Sequence, residues 1–190
     1  MKQGEWLKKE LAGAELSGKT LGILGMGRIG GEVGRRAVIF GMQVIAYDPL
    51  VPEEVIRQRW ATPENLDELY ARSDYLSFHL PLTDMTHSMV DEQAFMRMKR
   101  GVRIICAARG DIIDESALLA ALESGQVAGA ALDVFSNEPP ATTDLIGHPK
   151  VIATPHIGAQ TAEAQERAAE DVANEVLSAL KGESLHWKIV

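Results

Sequence analysis

An α/β fold built on one open, doubly wound parallel sheet is the architecture this sequence predicts, and three observations predict it. Short β-rich apolar runs alternate with helical patterns along the chain. The first run closes in a glycine-punctuated turn, Leu21-Gly22-Ile23-Leu24-Gly25-Met26-Gly27-Arg28-Ile29-Gly30, that leads straight into a helix. Most runs end in a polar or charged residue, as expected of strands whose carboxyl ends open on a common crevice.

The elements follow in order. The run before Gly25 is a buried strand entering a tight turn: Gly25 permits the turn, Gly27 leaves the backbone bare, and Gly30 lets the next helix sit close to the strand. That helix is expected over residues 29–40, and a second strand, Gln43-Val44-Ile45-Ala46-Tyr47, ends at Asp48. Further strands are predicted over residues 74–79, 103–106, 128–133 and 151–154. Asp114 caps a helix that carries Leu118, Leu119 and Leu122 on one face and ends near Gly125. Thr161 opens a final helix in which Ala168, Val172, Val176 and Leu180 recur every four residues, an apolar stripe expected to pack as core. Asp48, His79, Arg109, Asp133 and His156 stand at or just beyond strand ends and are expected to line one crevice.

Composition narrows the function classes. The chain has 190 residues, 46% hydrophobic and 24% charged, enough for one full core. Its formal charge of −8 opposes a broad electrostatic grip on nucleic acid or anionic lipid, so neither is expected as a partner. No apolar run approaches a membrane span, and the start lacks the charged-then-apolar pattern of a signal peptide. Cys106 is the only cysteine, which excludes an internal disulfide and suits a reducing compartment; the cytoplasm is the expected location. His87, His148 and His186 form no metal-ligand spacing with one another or with cysteine, so no metal is expected. No GxSxG segment supports a serine nucleophile.

The chemistry begins at the glycine turn. Unpaired N–H groups and the positive end of a helix dipole at that point suit a pyrophosphate. A bare strand–turn–helix is the other reading of the motif. The strand before it, the helix after it and Asp48 eighteen residues beyond Gly30 favour a Rossmann-type dinucleotide site. A carboxylate at position 48 can accept from both ribose hydroxyls and repels a 2′-phosphate, so NAD is expected over NADP. Arg109 follows an apolar strand and precedes Gly110; its guanidinium is a carboxylate clamp or, on the segment alone, equally a surface salt bridge. His156, between Pro155 and Gly158, is a proton donor and acceptor or a structural loop histidine. Glu138, before two prolines, is a fixed carboxylate or a loop charge, and spacing does not pair it with His156.

Five segments carry a resemblance: the glycine turn; His79-Leu80-Pro81-Leu82-Thr83; Ala108-Arg109-Gly110; Ala130-Ala131-Leu132-Asp133-Val134-Phe135-Ser136-Asn137-Glu138-Pro139-Pro140; and Thr154-Pro155-His156-Ile157-Gly158-Ala159. In this order they resemble the cofactor domain of the D-isomer-specific 2-hydroxyacid dehydrogenases. The resemblance implies a catalytic set of Arg109 for the substrate carboxylate and carbonyl, His156 for the proton, and Glu138 as the partner that raises the histidine's pKa. It implies NAD contacts from Gly25, Gly27, Arg28, Ile29, Gly30, Asp48, His79, Leu80, Pro81, Ala107, Ala108, Arg109, Asp133, His156, Gly158 and Ala159, with Asp133 at the nicotinamide end. Cys106 departs from it, since an asparagine usually stands three residues before the arginine.

The resemblance also implies a second, substrate domain that these residues do not provide. The chain is therefore expected to be an isolated cofactor domain, with a linker or helix over residues 1–17, the NAD-binding domain over 18–182 and an exit linker over 183–190. Cofactor binding without useful turnover is the expectation, and an NAD(H)-sensing, corepressor-like module without catalysis is the alternative. Trp6, beside Leu7 and Leu11, is either a local lid or a subunit anchor, and a homodimer with the first dozen residues at its interface is expected.

Overall fold

Parallel pairing dominates the computed structural model, which describes residues 12–140 and 143–187. Trp6, Leu7 and Leu11 lie outside the described residues, and with them the expected subunit contact. The chain divides into two compact units, Met1–Ala153 and Thr154–Val190, taken here in turn.

The first unit holds strands β1 (Thr20–Leu24), β2 (Gln43–Tyr47), β3 (Thr62–Pro63), β4 (Tyr75–Phe78), β5 (Val102–Cys106), β6 (Val127–Leu132) and β7 (Val151–Ala153). They form one sheet in the order β3-β2-β1-β4-β5-β6-β7, every neighbouring pair parallel. Its helices are α1 (Arg28–Ile39), α2 (Glu53–Gln58), α3 (Leu66–Arg72), α4 (Glu92–Arg97), α5 (Glu115–Glu123) and α6 (Thr143–Gly147). The predicted doubly wound α/β sheet is therefore the fold.

Alternation along the strands builds the two layers of core. Leu21, Ile23, Val44 and Ala46 pack with Ala37 of α1 and Ile56 of α2. The intervening Leu24 and Ile45 join Leu76, Phe78 and Ile104 against Leu69 of α3, Phe95 of α4 and Leu118 and Leu122 of α5. The central strands β1, β2 and β4 thus bury both faces, which is why their sequences read as continuous apolar runs, whereas the edge strands β3 and β7 bury no residue. As expected, the Asp114 side chain caps α5, accepting from Ala117 N–H at 2.9 Å. Cys106 is a buried thiol, 2% exposed, whose pKa burial pushes up.

Pairing register aligns the strand ends. Tyr47, Leu24, Phe78, Cys106, Leu132 and Ala153 occupy one row across the sheet. The residues that follow the first five, Asp48, Gly25, His79, Ala107 and Asp133, consequently stand side by side along its carboxyl edge. At about 4.8 Å per strand, the edge from Asp48 to Asp133 spans roughly 19 Å.

The second unit is built on α7 (Ala162–Lys181), capped by Thr161, which accepts from Ala164 N–H at 3.1 Å. The helix ends at Gly182, whose φ of 72° is the left-handed conformation that terminates helices at low cost. Its apolar stripe corrects one expectation. No residue of α7 is buried, and Val172, Val176 and Leu180 are 63%, 52% and 80% exposed. With Leu185 and Trp187 the stripe lines an open groove rather than a core. Four-residue periodicity identifies the apolar face of a helix, not what covers it.

Candidate cofactor site

The strand order reverses between β1 and β4, and the glycine turn lies at that point. Gly25 has φ +94° and donates its N–H to Tyr47 O at 2.9 Å. A Cβ on Gly25 would lie 2.6 Å from His79 O, so the turn threads between the ends of β2 and β4 with only glycine fitting. A Cβ on Gly30 would come 2.0 Å from Gly25 O, which fixes how closely α1 approaches the turn. Around Gly27, by contrast, a Cβ would meet nothing within 4 Å. Two glycines of the motif thus build the turn, and the middle one faces open space.

The start of α1 is built for an external anion. Side-chain acceptors cap α3, α4, α5 and α7, from Asn65, Asp91, Asp114 and Thr161. Gly27 caps α1 with no side chain, and no acid stands in its first turn. No capping side chain occupies that turn, and its dipole and backbone N–H groups match a pyrophosphate.

Asp48 is half-buried and tethered. Its Oδ2 accepts from Met26 N–H at 2.8 Å and its Oδ1 from Leu50 N–H at 2.9 Å. Each carboxylate oxygen has a second acceptor direction, which two ribose hydroxyls can use. Next along the edge, His79 Nε2 hydrogen-bonds Ser77 Oγ at 2.9 Å, and burial holds the imidazole pKa below its ordinary value. Leu80 is buried beside it and Pro81 exposed.

Beyond β5 and β6 a second group assembles. Cys106 Sγ–H donates to Arg109 O at 3.7 Å, and Asp133 N–H donates to Cys106 O at 2.9 Å. The Arg109 side chain is exposed and its Nη1 donates to Ala108 O at 2.6 Å; Ala107 is exposed and Ala108 half-buried. A Cβ on Gly110 would lie 2.0 Å from the Phe135 carbonyl carbon, so this glycine lets the arginine loop press against the segment that carries Glu138. Glu138 Oε1 accepts from Phe135 N–H at 3.1 Å, and Glu115 Oε1 at the start of α5 accepts from Ser136 N–H at 2.8 Å. The Glu138–Pro139 peptide is cis.

In the second unit, His156 is exposed and has φ +52°, with its N–H donating to Thr154 O at 3.1 Å. Gly158 and Ala159 continue this loop, and Gln165 Nε2 of α7 donates to Ala159 O at 3.1 Å. The structure therefore brings together the glycine turn, Asp48 and His79, and separately Arg109, Asp133 and Glu138, along one edge of the first unit.

Sequence reading placed Gly110 in a motif without giving it a packing role and passed over Glu115; the contacts of both span more than twenty residues. It also passed over Arg59, whose Nη1 donates to Met26 O. The available signal was a pair of surplus glycines, Gly31 and Gly34, on the helix beyond the motif.

Fold, glycine turn and the acid that ends β2 together define a Rossmann-type dinucleotide-binding domain. Residues 1–158 match the family described as D-isomer specific 2-hydroxyacid dehydrogenase, NAD binding domain, and the chain belongs to that family, whose cofactor is NAD. It is similar to D-3-phosphoglycerate dehydrogenase of Homo sapiens, 48% identical over 185 residues, covering 97% of this chain and 35% of that protein. Its structure is similar to that of a glyoxylate reductase from Paecilomyes thermophila, with a TM-score of 0.90 at 45% identity, covering 97% of this chain and 56% of that one. A D-lactate dehydrogenase from Aquifex aeolicus complexed with NAD and lactic acid gives a TM-score of 0.86 at 35% identity, covering 96% and 59%. The chain thus spans about a third of the length of the curated relative.

Proposed function

We propose that this chain supplies the cofactor-binding part of an NAD-dependent oxidoreductase that interconverts a D-2-hydroxy acid and its 2-keto acid, with 3-phosphoglycerate as the candidate substrate. The observation that carries the reading is the uncapped α1 start beside the Gly25–Gly30 turn with Asp48 at the next strand end. When bound, the nicotinamide accepts or returns the hydride. Arg109 holds the substrate carboxylate with two parallel hydrogen bonds and stabilises charge developing on the carbonyl oxygen. His156 takes the hydroxyl proton during oxidation and returns it during reduction, with Glu138 as its carboxylate partner. Asp133 supports the nicotinamide end, and Leu80, Ala107, Ala108, Gly158 and Ala159 line the cofactor.

The proposal includes a cytoplasmic homodimer joined through the cofactor domain. Calorimetric titration with NADH tests the cofactor reading; failure to bind overturns it. Turnover is tested by joining the chain to a relative's substrate domain and assaying NAD+ reduction with D-2-hydroxy acids, 3-phospho-D-glycerate among them. His156→Ala in that protein should abolish most turnover while leaving NADH affinity near the parent's, and an unchanged rate removes the histidine from the mechanism. NADH binding without turnover on any of these acids favours the sensing module. Light scattering on the native chain and on Trp6→Ala tests the dimer; a native monomer at tens of micromolar overturns it.

A further inference from the structure

Met26, at the apex of the glycine turn, is held at both ends of its backbone. Its N–H donates to Asp48 Oδ2, and its carbonyl accepts from the guanidinium of Arg59, thirty-three residues away in sequence. Arg59 reaches this carbonyl from the C-terminal end of α2, and the chain is shaped to let it. A Cβ on Gly31 would come 3.2 Å from Arg59 Cδ, and one on Gly34 would come 3.4 Å from Arg59 O. Gly31 therefore opens a slot along α1 for the arginine stem, while a Cβ on Gly34 would lie at ordinary contact distance from its backbone. Trp60, directly after it, has φ +68°, the left-handed conformation that turns the chain away as α2 ends.

Resting on the cofactor reading above, we infer that Arg59 is a positioning residue for the pyrophosphate-binding turn. By holding the Met26 carbonyl it fixes the plane of the Met26–Gly27 peptide, and with it the direction in which the first donors of α1 point. Its charge also stands behind a turn that has to receive two phosphates, and α1 contributes no acid in its first turn to oppose it. Gly31 then serves the ligand site indirectly, by admitting the arginine.

The test separates phosphate positioning from simple propping of the fold. Arg59→Met is titrated with NADH and ADP-ribose, which carry the pyrophosphate, and with adenosine, which does not. Loss of one charge-assisted hydrogen bond should weaken NADH and ADP-ribose by about tenfold. Adenosine should stay within about twofold, and the thermal midpoint near that of the parent. Arg59→Lys should recover part of the loss. Gly31→Leu, which fills the slot, should reproduce the Arg59→Met phenotype. The double variant should be no weaker than either single one, as for two changes to one interaction. Unchanged ADP-ribose affinity in a folded Arg59→Met overturns the inference. An equal loss for adenosine and ADP-ribose overturns it too, since that marks a merely structural role. Should Arg59→Met fail to fold, Gly31→Leu carries the same comparison. A parent chain that binds none of the three ligands refutes the cofactor reading instead.

Discussion

The carboxylate of Asp48 accepts the backbone N–H of Met26 at 2.8 Å, so the acid at the end of β2 and the glycine turn at the end of β1 form one mechanical unit. A residue expected only to face a ribose also holds the glycine turn.

Substitutions at this position should separate the two duties. Asp48→Asn keeps an acceptor for Met26 N–H and removes the charge that repels a 2′-phosphate. It should narrow the preference for NAD(H) over NADP(H) with a modest loss of NADH affinity. Asp48→Ala removes both and should weaken NADH by about tenfold or more, as expected for hydrogen bonds to a charged group. Parallel calorimetric titrations with both cofactors check this, and equal NADH affinities for the two variants would show that the tether contributes nothing.

The glycines of the motif should respond in opposite ways. Gly30→Ala drives a methyl into Gly25 O at 2.0 Å, with backbone on both sides, and should destabilise the domain by about 1–3 kcal/mol or more. Gly27→Ala has open space and φ −70°, so the fold should keep its stability while NADH affinity falls. Thermal unfolding and NADH titration of each variant distinguish the outcomes.

His79 should make stability depend on pH. Burial lowers its folded-state pKa below the ordinary value of 6.5, so on acidification the unfolded chain binds the proton first. The contribution of this residue is intact above about pH 6.5 and is lost as pH falls from there through the folded value. The slope is at most about 1.4 kcal/mol per pH unit for one proton. Denaturant unfolding between pH 5 and 8 should show a shallower decline in His79→Gln than in the parent.

Trp60 occupies a left-handed backbone position and is 57% exposed. Glycine adopts φ +68° without the Cβ clash, at the cost of a more flexible unfolded chain. Trp60→Gly should therefore raise stability, by up to about 1 kcal/mol, read as a higher thermal midpoint. A lower midpoint would reveal packing by the indole that outweighs the backbone strain.

Legibility in the sequence followed locality. The turn, its helix and Asp48 fall within thirty residues, and each leaves a compositional mark: glycines at fixed offsets, an apolar run on either side, an acid at a strand end. The Asp114 and Thr161 caps were equally plain, because a cap sits beside the helix it starts. Helices α2, α3, α4 and α6 were not, since five to seven residues complete too few turns to display a period. Strand β3 is two residues ending in Pro63 and has no pattern at all. Arg59 was invisible for another reason: its partner is a backbone carbonyl, which no sequence distinguishes from any other. The stripe of α7 misled because periodicity reports amphipathicity and leaves open whether a cover exists.

Among the described residues, α3, α4, α5 and α7 carry their own terminal acceptor, whereas α2 begins at a proline and α1 at a bare glycine. Glycine in place of such a cap costs a helix only about a few tenths of a kcal/mol, but it leaves the first turn open to an outside acceptor. The dinucleotide then completes α1 as the absent side chain would, so occupancy and folding draw on the same free energy. Resistance to unfolding should climb with the logarithm of cofactor concentration once the site is mostly filled. In a cell, the survival time of this domain would track the free cofactor available to it.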